Sequence, residues 1–442
     1  MDAVDSFVEV IDRYSKVGVA VALICLAAMW LYAGRVLAGH QRAYAAVRHT
    51  PRGNLSDLYP RWLGSRELLL HRRDPYSAEV TREIQAGYYG RPLDAARAED
   101  PKDQQAFAYP VYVAILLAPT VSFPFEAVRK GFDALLIALT ATSVWLWMRA
   151  IQWQPGPLAW FVTAILVLGS FPAVQGIKLD QLSVLIAGFI SLSAFLLSRG
   201  QLFAAGILLA VSTIKPQLIL PLLGCLVIWA LTDARRRSFV WGFCVAMGVL
   251  LVVSEMILPG WIAKFRTALH EYLAYTGGVS LIDKLLSPGL GKVATAAIAA
   301  ILLALTWRAR RAVPGSREFS ILLANILTAT LLIVPTFAPY NQLLLLPAVL
   351  LTAREWQGTW KAGPVSKAIL VATVMALGWQ WLAAITLVLI SFNLPVVAQN
   401  GWTVPLYTVL AIPFVLLLDV ALLSRKSWSP PSPQLAMGDR KR

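Results

Sequence analysis

The sequence predicts an all-α polytopic membrane protein, and three observations lead to this fold class. Of the 442 residues, 58% are hydrophobic and only 14% are charged, whereas a soluble domain is about one quarter charged. The mean hydropathy of +0.64 points the same way. Apolar runs long enough to cross a bilayer core of about 30 Å recur along the chain. This composition excludes a cytosolic enzyme, a disordered chain and a secreted disulfide scaffold.

The apolar runs define the predicted transmembrane helices. Runs long enough to cross on their own cover residues 17–37, 131–149, 158–174, 182–197, 239–258, 289–307, 319–335, 366–391 and 403–424. The run 202–232 is too long for one span. Because Lys215-Pro216-Gln217 interrupts it, we expect two helices that meet at this tripeptide. A shorter apolar run, 342–353, supplies one more span.

The segment 108–123 is the ambiguous run. If it crossed the membrane, the long loop 38–107 would lie inside the cell. If it only dips into the membrane, the loop lies outside and the crossings number twelve. Pro110, Pro119 and Pro124 suit a short embedded segment better than a regular span. We therefore expect about twelve transmembrane helices.

Basic loops set the predicted orientation, because lysine and arginine next to spans are retained on the cytoplasmic side. The basic groups are Arg235-Arg236-Arg237, Arg308, Arg310, Arg311, Arg317, Arg354, Lys361, Lys367, Arg425 and Lys426. With these inside and 108–123 only dipping into the membrane, both termini are cytoplasmic and the long loop is outer, whereas a crossing 108–123 would place the N-terminus outside. These loops also account for the net charge of +15, so no nucleic-acid partner is expected.

The domain organisation follows from this topology. We expect one integral membrane domain over residues 1–425, with outer loops at 38–107 and 259–288. The tail 426–442 is expected to be disordered and cytoplasmic. No clear cleavage site follows the first apolar run, which favours a signal anchor. The expected location is the bacterial cytoplasmic membrane.

The long loop is the unusual connection, since it carries nine of the 24 acidic residues. Its stretch Leu58 to Leu70 is amphipathic and could lie along the membrane interface. Asp57, at the start of this stretch, allows two interpretations. It could be a helix N-cap, or a general base that takes a proton from a hydroxyl. Asp74 is the next candidate, with a turn-initiating Asp-Pro as the alternative.

Charged residues also stand at helix breaks near the predicted outer face. Charged groups within spans usually face a polar cavity. Lys215 precedes Pro216, so a polar pocket there would let its ammonium neutralise a phosphate. The alternative is that Lys215 reaches out to the lipid headgroups. For Lys178 and Asp180 the alternative is an ion pair.

Metal ligands are not evident in the sequence. The three cysteines lie within apolar runs, and the four histidines are scattered without zinc-site spacing. The acidic residues are isolated from one another. We therefore expect neither a metal nor a cofactor.

Five short motifs follow one another along the chain. They are Asp57-Leu58-Tyr59-Pro60-Arg61-Trp62, Arg66-Glu67-Leu68-Leu69-Leu70, Asp74-Pro75-Tyr76, Phe107-Ala108-Tyr109-Pro110 and Ile214-Lys215-Pro216-Gln217. In this order they resemble glycosyltransferase family 87, whose members are GT-C-fold membrane enzymes that take sugars from polyprenyl-phosphate donors. The resemblance covers approximately residues 15–425.

The resemblance implies a site as well as a GT-C-like fold. It places the catalytic base at Asp57 and the donor-phosphate contact at Lys215, to which we add Lys178, Arg61 and Arg66. The polar residues expected to bind substrate are Asp74, Asp180, Gln181, Gln217, Tyr340, Asn341 and Gln342. Where many relatives have Gly-Gln-x-Asn, this chain has Ile177-Lys178-Leu179-Asp180-Gln181. Where many have Ser-Pro-His-Tyr, it has Ala338-Pro339-Tyr340-Asn341.

The implied activity is an inverting transfer of a hexose or pentose on the outer face of the membrane. The donor would be a polyprenyl-phosphate sugar, the acceptor a lipid or glycan hydroxyl, and membrane lipids would surround both. The alternative is a transporter or a flippase for lipid-linked sugars. It explains the spans and the embedded charges, but not the acidic loop, and the chain shows no internal repeat. A catalytically silent scaffold for a cell-envelope assembly is a third possibility.

Overall fold

The computed structural model describes residues 2–50, 56–94, 96–335 and 338–427, and this part of the chain is helical without a β-strand. The all-α prediction is therefore confirmed for these residues. Most of the predicted tail, residues 428–442, lies outside them.

The helices of the described residues are numbered here in chain order. They are α1 (Asp2–Leu31), α2 (Ala38–Val47), α3 (Leu58–His71), α4 (Ala78–Tyr89), α5 (Val113–Leu117), α6 (Phe125–Ala150), α7 (Pro157–Leu168), α8 (Phe171–Lys178), α9 (Leu182–Ser198), α10 (Leu202–Ser212), α11 (Pro216–Leu231), α12 (Arg237–Ile257), α13 (Trp261–Thr276), α14 (Leu281–Leu285), α15 (Pro288–Arg308), α16 (Arg317–Ile333), α17 (Leu346–Lys361), α18 (Pro364–Asn393), α19 (Pro395–Asn400) and α20 (Ala411–Ser427). A π-helical turn, Tyr32–Leu37, joins α1 to α2, and a 3₁₀ turn, Pro339–Leu345, precedes α17.

Several helices are long and apolar enough to cross a membrane, which fits an integral membrane protein. Within the described residues, six stretches meet this test, namely Lys16–Val47, Phe125–Ala150, Ala234–Ile257, Gly289–Arg308, Pro364–Asn393 and Pro395–Ser424. The bent pair α7 and α8 would make a seventh. Other predicted spans form shorter helices, among them α9, α10 and α11. The count of twelve crossings therefore stays a prediction.

The first span is longer than the predicted run 17–37. The apolar helix continues to Val47, so the first ten residues of the predicted outer loop are the helix α2. The predicted span 158–174 differs in another way, because α7 and α8 meet at an angle of 59°. Pro172 in the first turn of α8 has no N–H to donate, and Ser170 caps that helix.

The long loop folds into a compact unit around α3 and α4. Leu58, Trp62 and Phe107 are buried in the main core, and a Cβ at Gly64 would stand 2.4 Å from the Phe107 ring. Arg73 donates to Glu67 and Glu83, at 2.7 and 2.6 Å, which ties α3 to α4. A helix is thus present over the predicted stretch, while its amphipathic character and its place at the membrane interface stay predictions.

In the segment 108–123, the helical residues are the five-residue helix α5 and the 3₁₀ turn Ala118–Thr120 that follows it. At a rise of about 1.5 Å per residue such a helix cannot cross a bilayer. Val111, Val113 and Leu117 of this segment are buried within the protein.

The second loop, 259–288, contacts the long loop. Lys264 of α13 forms an ion pair with Asp74 at 2.7 Å, and the ring of Trp261 meets Tyr112 edge to face at 5.9 Å. Below the loops, α16 is buried along most of its length. The helices α12 and α15 expose most of their apolar surface, as expected for helices in contact with lipid.

Candidate active site

A cavity of about 310 Å³ lies where the two loops meet the apolar helices. It is bounded by the start of α3, the turn before α9, the break between α10 and α11, the helix α13 and the turn before α17. Its polar lining consists of Asp57, Arg61, Asp103, Gln105, Tyr109, Gln181, Lys215, Gln217, Tyr272, Tyr340 and Asn341. Apolar side chains, including Leu220, Phe265, Leu269 and Leu273, complete the wall.

Asp57 occupies the N-cap position of α3, but its side chain does not cap the helix. The preceding Ser56 accepts a hydrogen bond from the Leu58 N–H at 3.1 Å instead. The Asp57 N–H donates to the Leu179 carbonyl at 2.9 Å. Its carboxylate accepts a hydrogen bond from Gln181 Nε2. The carboxylate therefore faces the cavity, as the general-base interpretation requires.

Lys215 stands at the break between α10 and α11, where Pro216 begins the second helix. Its ammonium donates to Gln181 Oε1 at 2.9 Å and to Ser183 Oγ at 2.6 Å. It also lies 5.3 Å from the ring centroid of Tyr340. In the described part of the chain these partners are neutral, so the ammonium is buried without a carboxylate to pair with it.

Arg61, one turn into α3, brings a second cation to the cavity. Its Nη1 donates to the Asp57 carbonyl at 2.6 Å. Its guanidinium carbon lies 4.6 Å from the ring centroid of Tyr109, which is cation–π geometry. The Lys215 ammonium lies 5.9 Å from the centroid of the same ring, so both cations are neighbours of Tyr109.

The electrostatic surroundings of Asp57 suit an acid–base role. Burial raises the pKa of the Asp57 carboxyl above its ordinary value, and the neighbouring Asp103 acts in the same direction. Arg61 and Lys215 oppose this shift. A carboxylate with a raised pKa is a stronger base than a solvated one. The site can therefore accept a proton and hold an anion within one cavity.

Seven of the residues predicted from the sequence line the cavity together. Asp57, Arg61 and Lys215 are the charged ones, and Gln181, Gln217, Tyr340 and Asn341 are the neutral ones. The Asn341 side-chain carbonyl is buried without a hydrogen-bond partner in the described residues.

Two residues predicted to contact the donor phosphate do not line the cavity. Lys178 donates to the Ala33 carbonyl of the π-helical turn after α1 at 2.8 Å, and the guanidinium of Arg66 lies over the Trp62 ring. The positions of these residues in the sequence do not show this. Across the turn after α8, the Lys178 side chain contacts Ala33, whereas the Gln181 side chain lines the cavity.

Three predicted substrate-binding residues are likewise outside the cavity. Asp74 pairs with Lys264, and Gln342 donates to the Val409 carbonyl at 2.5 Å. Asp180 is fully buried, with Arg129 at 3.5 Å from its carboxylate. In the described structure these side chains contact other parts of the protein instead of the cavity.

Sequence reasoning did not assign site roles to Tyr109, Asp103, Gln105 or Tyr272, all of which line the cavity. For two of them, Tyr109 and Asp103, the sequence contained an indication. Tyr109 belongs to the motif Phe107-Ala108-Tyr109-Pro110, and Asp103 is one of the acids of the long loop. Tyr272 lies on α13, and no local pattern shows that this helix packs against the cavity.

Metal-binding geometry is not found in the described residues, where no group of three or more His, Cys, Asp or Glu side chains is placed to hold an ion. The polar groups of the cavity are two carboxylates, Asp57 and Asp103, two cations and several amides and tyrosines.

These features define a helical membrane protein with a cavity in which two cations lie near a carboxylate. The sequence model of glycosyltransferase family 87 matches residues 107–335, slightly more than half of the chain. The chain therefore belongs to glycosyltransferase family 87. The match includes Tyr109, Gln181 and Lys215, whereas Asp57 lies before it.

Two further comparisons give no match. Neither the curated proteins nor the solved structures include one similar to this chain. The family and the geometry of the cavity therefore carry the functional argument.

Proposed function

We propose that this glycosyltransferase moves a hexose or pentose from a polyprenyl-phosphate donor to a hydroxyl of a lipid or glycan acceptor. The reaction takes place on the outer face of the membrane and inverts the anomeric centre. The observation that carries the proposal is the cavity that Asp57 shares with Lys215 and Arg61. Asp57 is the general base, and the two cations receive the donor phosphate.

The donor side of the proposal rests on charge and on apolar surface. Lys215 is buried among neutral partners, so a phosphate would supply the negative charge that it lacks. Arg61 offers guanidinium donors that suit phosphate oxygens. Leu220, Phe265 and Leu269 extend the wall of the cavity with apolar side chains, and Leu220 is 58% exposed. A prenyl chain fits such a surface.

The chemical step is a single displacement. Asp57 accepts the proton of the acceptor hydroxyl, whose oxygen forms a bond with the anomeric carbon of the sugar. The bond between that carbon and the phosphate oxygen breaks, and its electron pair leaves with the phosphate. Lys215 and Arg61 stabilise the developing negative charge. Attack opposite the leaving group inverts the anomeric centre.

A membrane assay with a polyprenyl-phosphate hexose tests the proposal. Asp57→Asn keeps the side-chain shape but removes the base, so we expect transfer to fall by roughly a hundredfold or more. Asp94→Asn is the matched control, because Asp94 is a half-exposed acid of the same loop outside the cavity. Transfer retained in Asp57→Asn would remove Asp57 from the role of base.

The same assay in detergent separates an enzyme from a flippase. Solubilised protein has no membrane compartments, so a flippase would give no measurable product there. A transferase would still form the glycosylated acceptor and release polyprenyl phosphate. Absence of both products with wild-type protein, over a panel of hexose and pentose donors, would contradict the proposed activity.

A further inference from the structure

Gln181 connects the two charged groups of the cavity through its side-chain amide. Its Nε2 donates to the Asp57 carboxylate, and its Oε1 accepts from the Lys215 ammonium. Only the NH₂ end of an amide can donate to a carboxylate, and only the oxygen can accept from an ammonium. These two partners therefore allow one orientation of the amide. At 3% exposure, Gln181 is buried with them.

The backbone around Gln181 fixes the same arrangement. The Gln181 N–H donates to the Gly176 carbonyl at 2.8 Å, and the Leu179 carbonyl accepts from the Asp57 N–H at 2.9 Å. Two residues further on, Ser183 holds Lys215 from the first turn of α9. The short turn before α9 thus binds both the backbone and the side chain of Asp57.

The remaining charged groups near Asp57 do not replace this bond. Arg61 and Lys215 favour the ionised carboxylate through space, and Asp103 disfavours it. Arg61 donates to the backbone carbonyl of Asp57, not to its carboxylate. Tyr109, Tyr272 and Tyr340 line the same cavity as Asp57. Among the described residues, the Gln181 amide supplies the carboxylate's side-chain hydrogen bond.

We propose that Gln181 is a positioning residue whose amide keeps the Asp57 carboxylate ionised and aimed into the cavity, while leaving the charge of Lys215 free for the donor phosphate. This role rests on the proposed function. A neutral amide suits both tasks, because it donates to the base without adding charge. A carboxylate at this position would instead neutralise Lys215 and repel Asp57.

Protonation of Asp57 in the purified full-length protein tests this role without any sugar transfer. Infrared difference spectra over a pH series report the protonated carboxyl band, which is assigned by its absence in Asp57→Asn. Gln181→Met keeps the length of the side chain and removes the hydrogen bond, while Ser183 still holds Lys215. We expect the midpoint of the Asp57 band to rise by about one pH unit.

Ser183→Ala is the matched control, because it removes a bond to Lys215 and leaves the bond between Gln181 and Asp57 in place. Its Asp57 midpoint should equal that of the wild type. An unchanged or lower midpoint in Gln181→Met would overturn the positioning role. If that variant fails to fold, Gln181→Leu provides the test, since it also removes the hydrogen bond without adding charge and should raise the Asp57 midpoint in the same way.

The two proposals can fail separately. A wild-type protein that transfers no sugar, together with a raised midpoint in Gln181→Met, would reject the transfer reaction and keep the positioning role. Sugar transfer by the wild type, with no shift of the Asp57 midpoint in the variants, would reject the positioning role alone.

Discussion

At the scale of single residues, Asp57 carries its charge in a place where burial opposes ionisation. Burial raises its pKa, with Arg61 and Lys215 partly offsetting the effect. A carboxyl whose pKa is higher in the folded protein binds its proton more tightly there than in the unfolded chain. Stability therefore falls as the pH rises from the unfolded pKa through the folded one, and above both values the ionised carboxylate opposes folding.

Asp57→Asn should consequently be at least as stable as the wild type at pH 7, although we expect it to be inactive. Asparagine removes the buried charge and keeps an oxygen that can accept from Gln181. The expected result is an equal or higher melting temperature by differential scanning fluorimetry in detergent. The difference should shrink as the pH falls below the raised pKa. A melting temperature several degrees lower at pH 7 would mean that attraction to Arg61 and Lys215 outweighs the burial of the charge.

Local pattern could predict the location of Asp57 but not its role. An acid such as Asp57, with Pro60 three residues later, can be the N-cap of a helix as well as a general base. In the structure, the Ser56 hydroxyl accepts the hydrogen bond from the Leu58 N–H, and the Asp57 carboxylate accepts one from Gln181. This distinction depends on a residue more than a hundred positions away, so the local sequence does not contain it.

At the scale of helices, the apolar runs predicted most bounds well. The break at Lys215 is the clearest case, because α10 ends at Ser212 and α11 begins at Pro216. Proline fixes such a break locally. The 59° bend between α7 and α8 and the packing of α13 beside the cavity depend on tertiary contacts. Hydropathy alone could not indicate them.

A second feature at this scale is the close crossing of α10 and α12. A Cβ at Gly206 would stand 2.1 Å from the Phe239 carbonyl, and one at Gly242 would stand 2.1 Å from the Phe203 carbonyl. Backbone atoms cannot move aside as flexible side chains do. Small residues permit such approaches between helices in membranes, so the glycine pair sets the position of α10 and of the break that follows it.

Gly206→Ala should therefore destabilise the protein, by about 1–3 kcal/mol for an overpacked contact. Gly248→Ala is the matched control on α12, because a Cβ there meets nothing within 4 Å. The control should be neutral or stabilising by up to about 1 kcal/mol, as alanine favours a helix over glycine. Thermal unfolding in detergent measures both. Equal melting temperatures for the two variants would contradict the close crossing.

At the scale of the whole molecule, the lengths of the broken helices indicate how deep the cavity lies. The helix α11, which joins the break at Lys215 to the basic loop that follows it, has 16 residues and so spans about 24 Å, most of a hydrocarbon core of about 30 Å. If the basic loop after α11 lies at the cytoplasmic surface, the break at Lys215 is recessed into the outer half of the bilayer. A donor whose phosphate is attached to a prenyl chain can reach such a depth from the lipid phase.

This arrangement requires the long loop and the basic loop 232–237 to lie on opposite sides of the membrane. Glu79 and Arg235 are suitable reporters, since their side chains are 78% and 90% exposed. Each would be replaced by cysteine in a chain from which the native Cys25, Cys225 and Cys244 have been removed. On intact cells, a membrane-impermeant maleimide should label Glu79→Cys and not Arg235→Cys.

Permeabilised cells provide the control, because both cysteines should then react. Labelling of Arg235→Cys alone on intact cells would reverse the orientation and move the cavity to the cytoplasmic leaflet, where basic loops are normally retained. Labelling of both would mean that an even number of crossings separates them, so that the helices from α6 to α11 would not place Lys215 in the outer half of the bilayer. The predicted result alone puts Asp57, Lys215 and a lipid-linked donor on the outer side together.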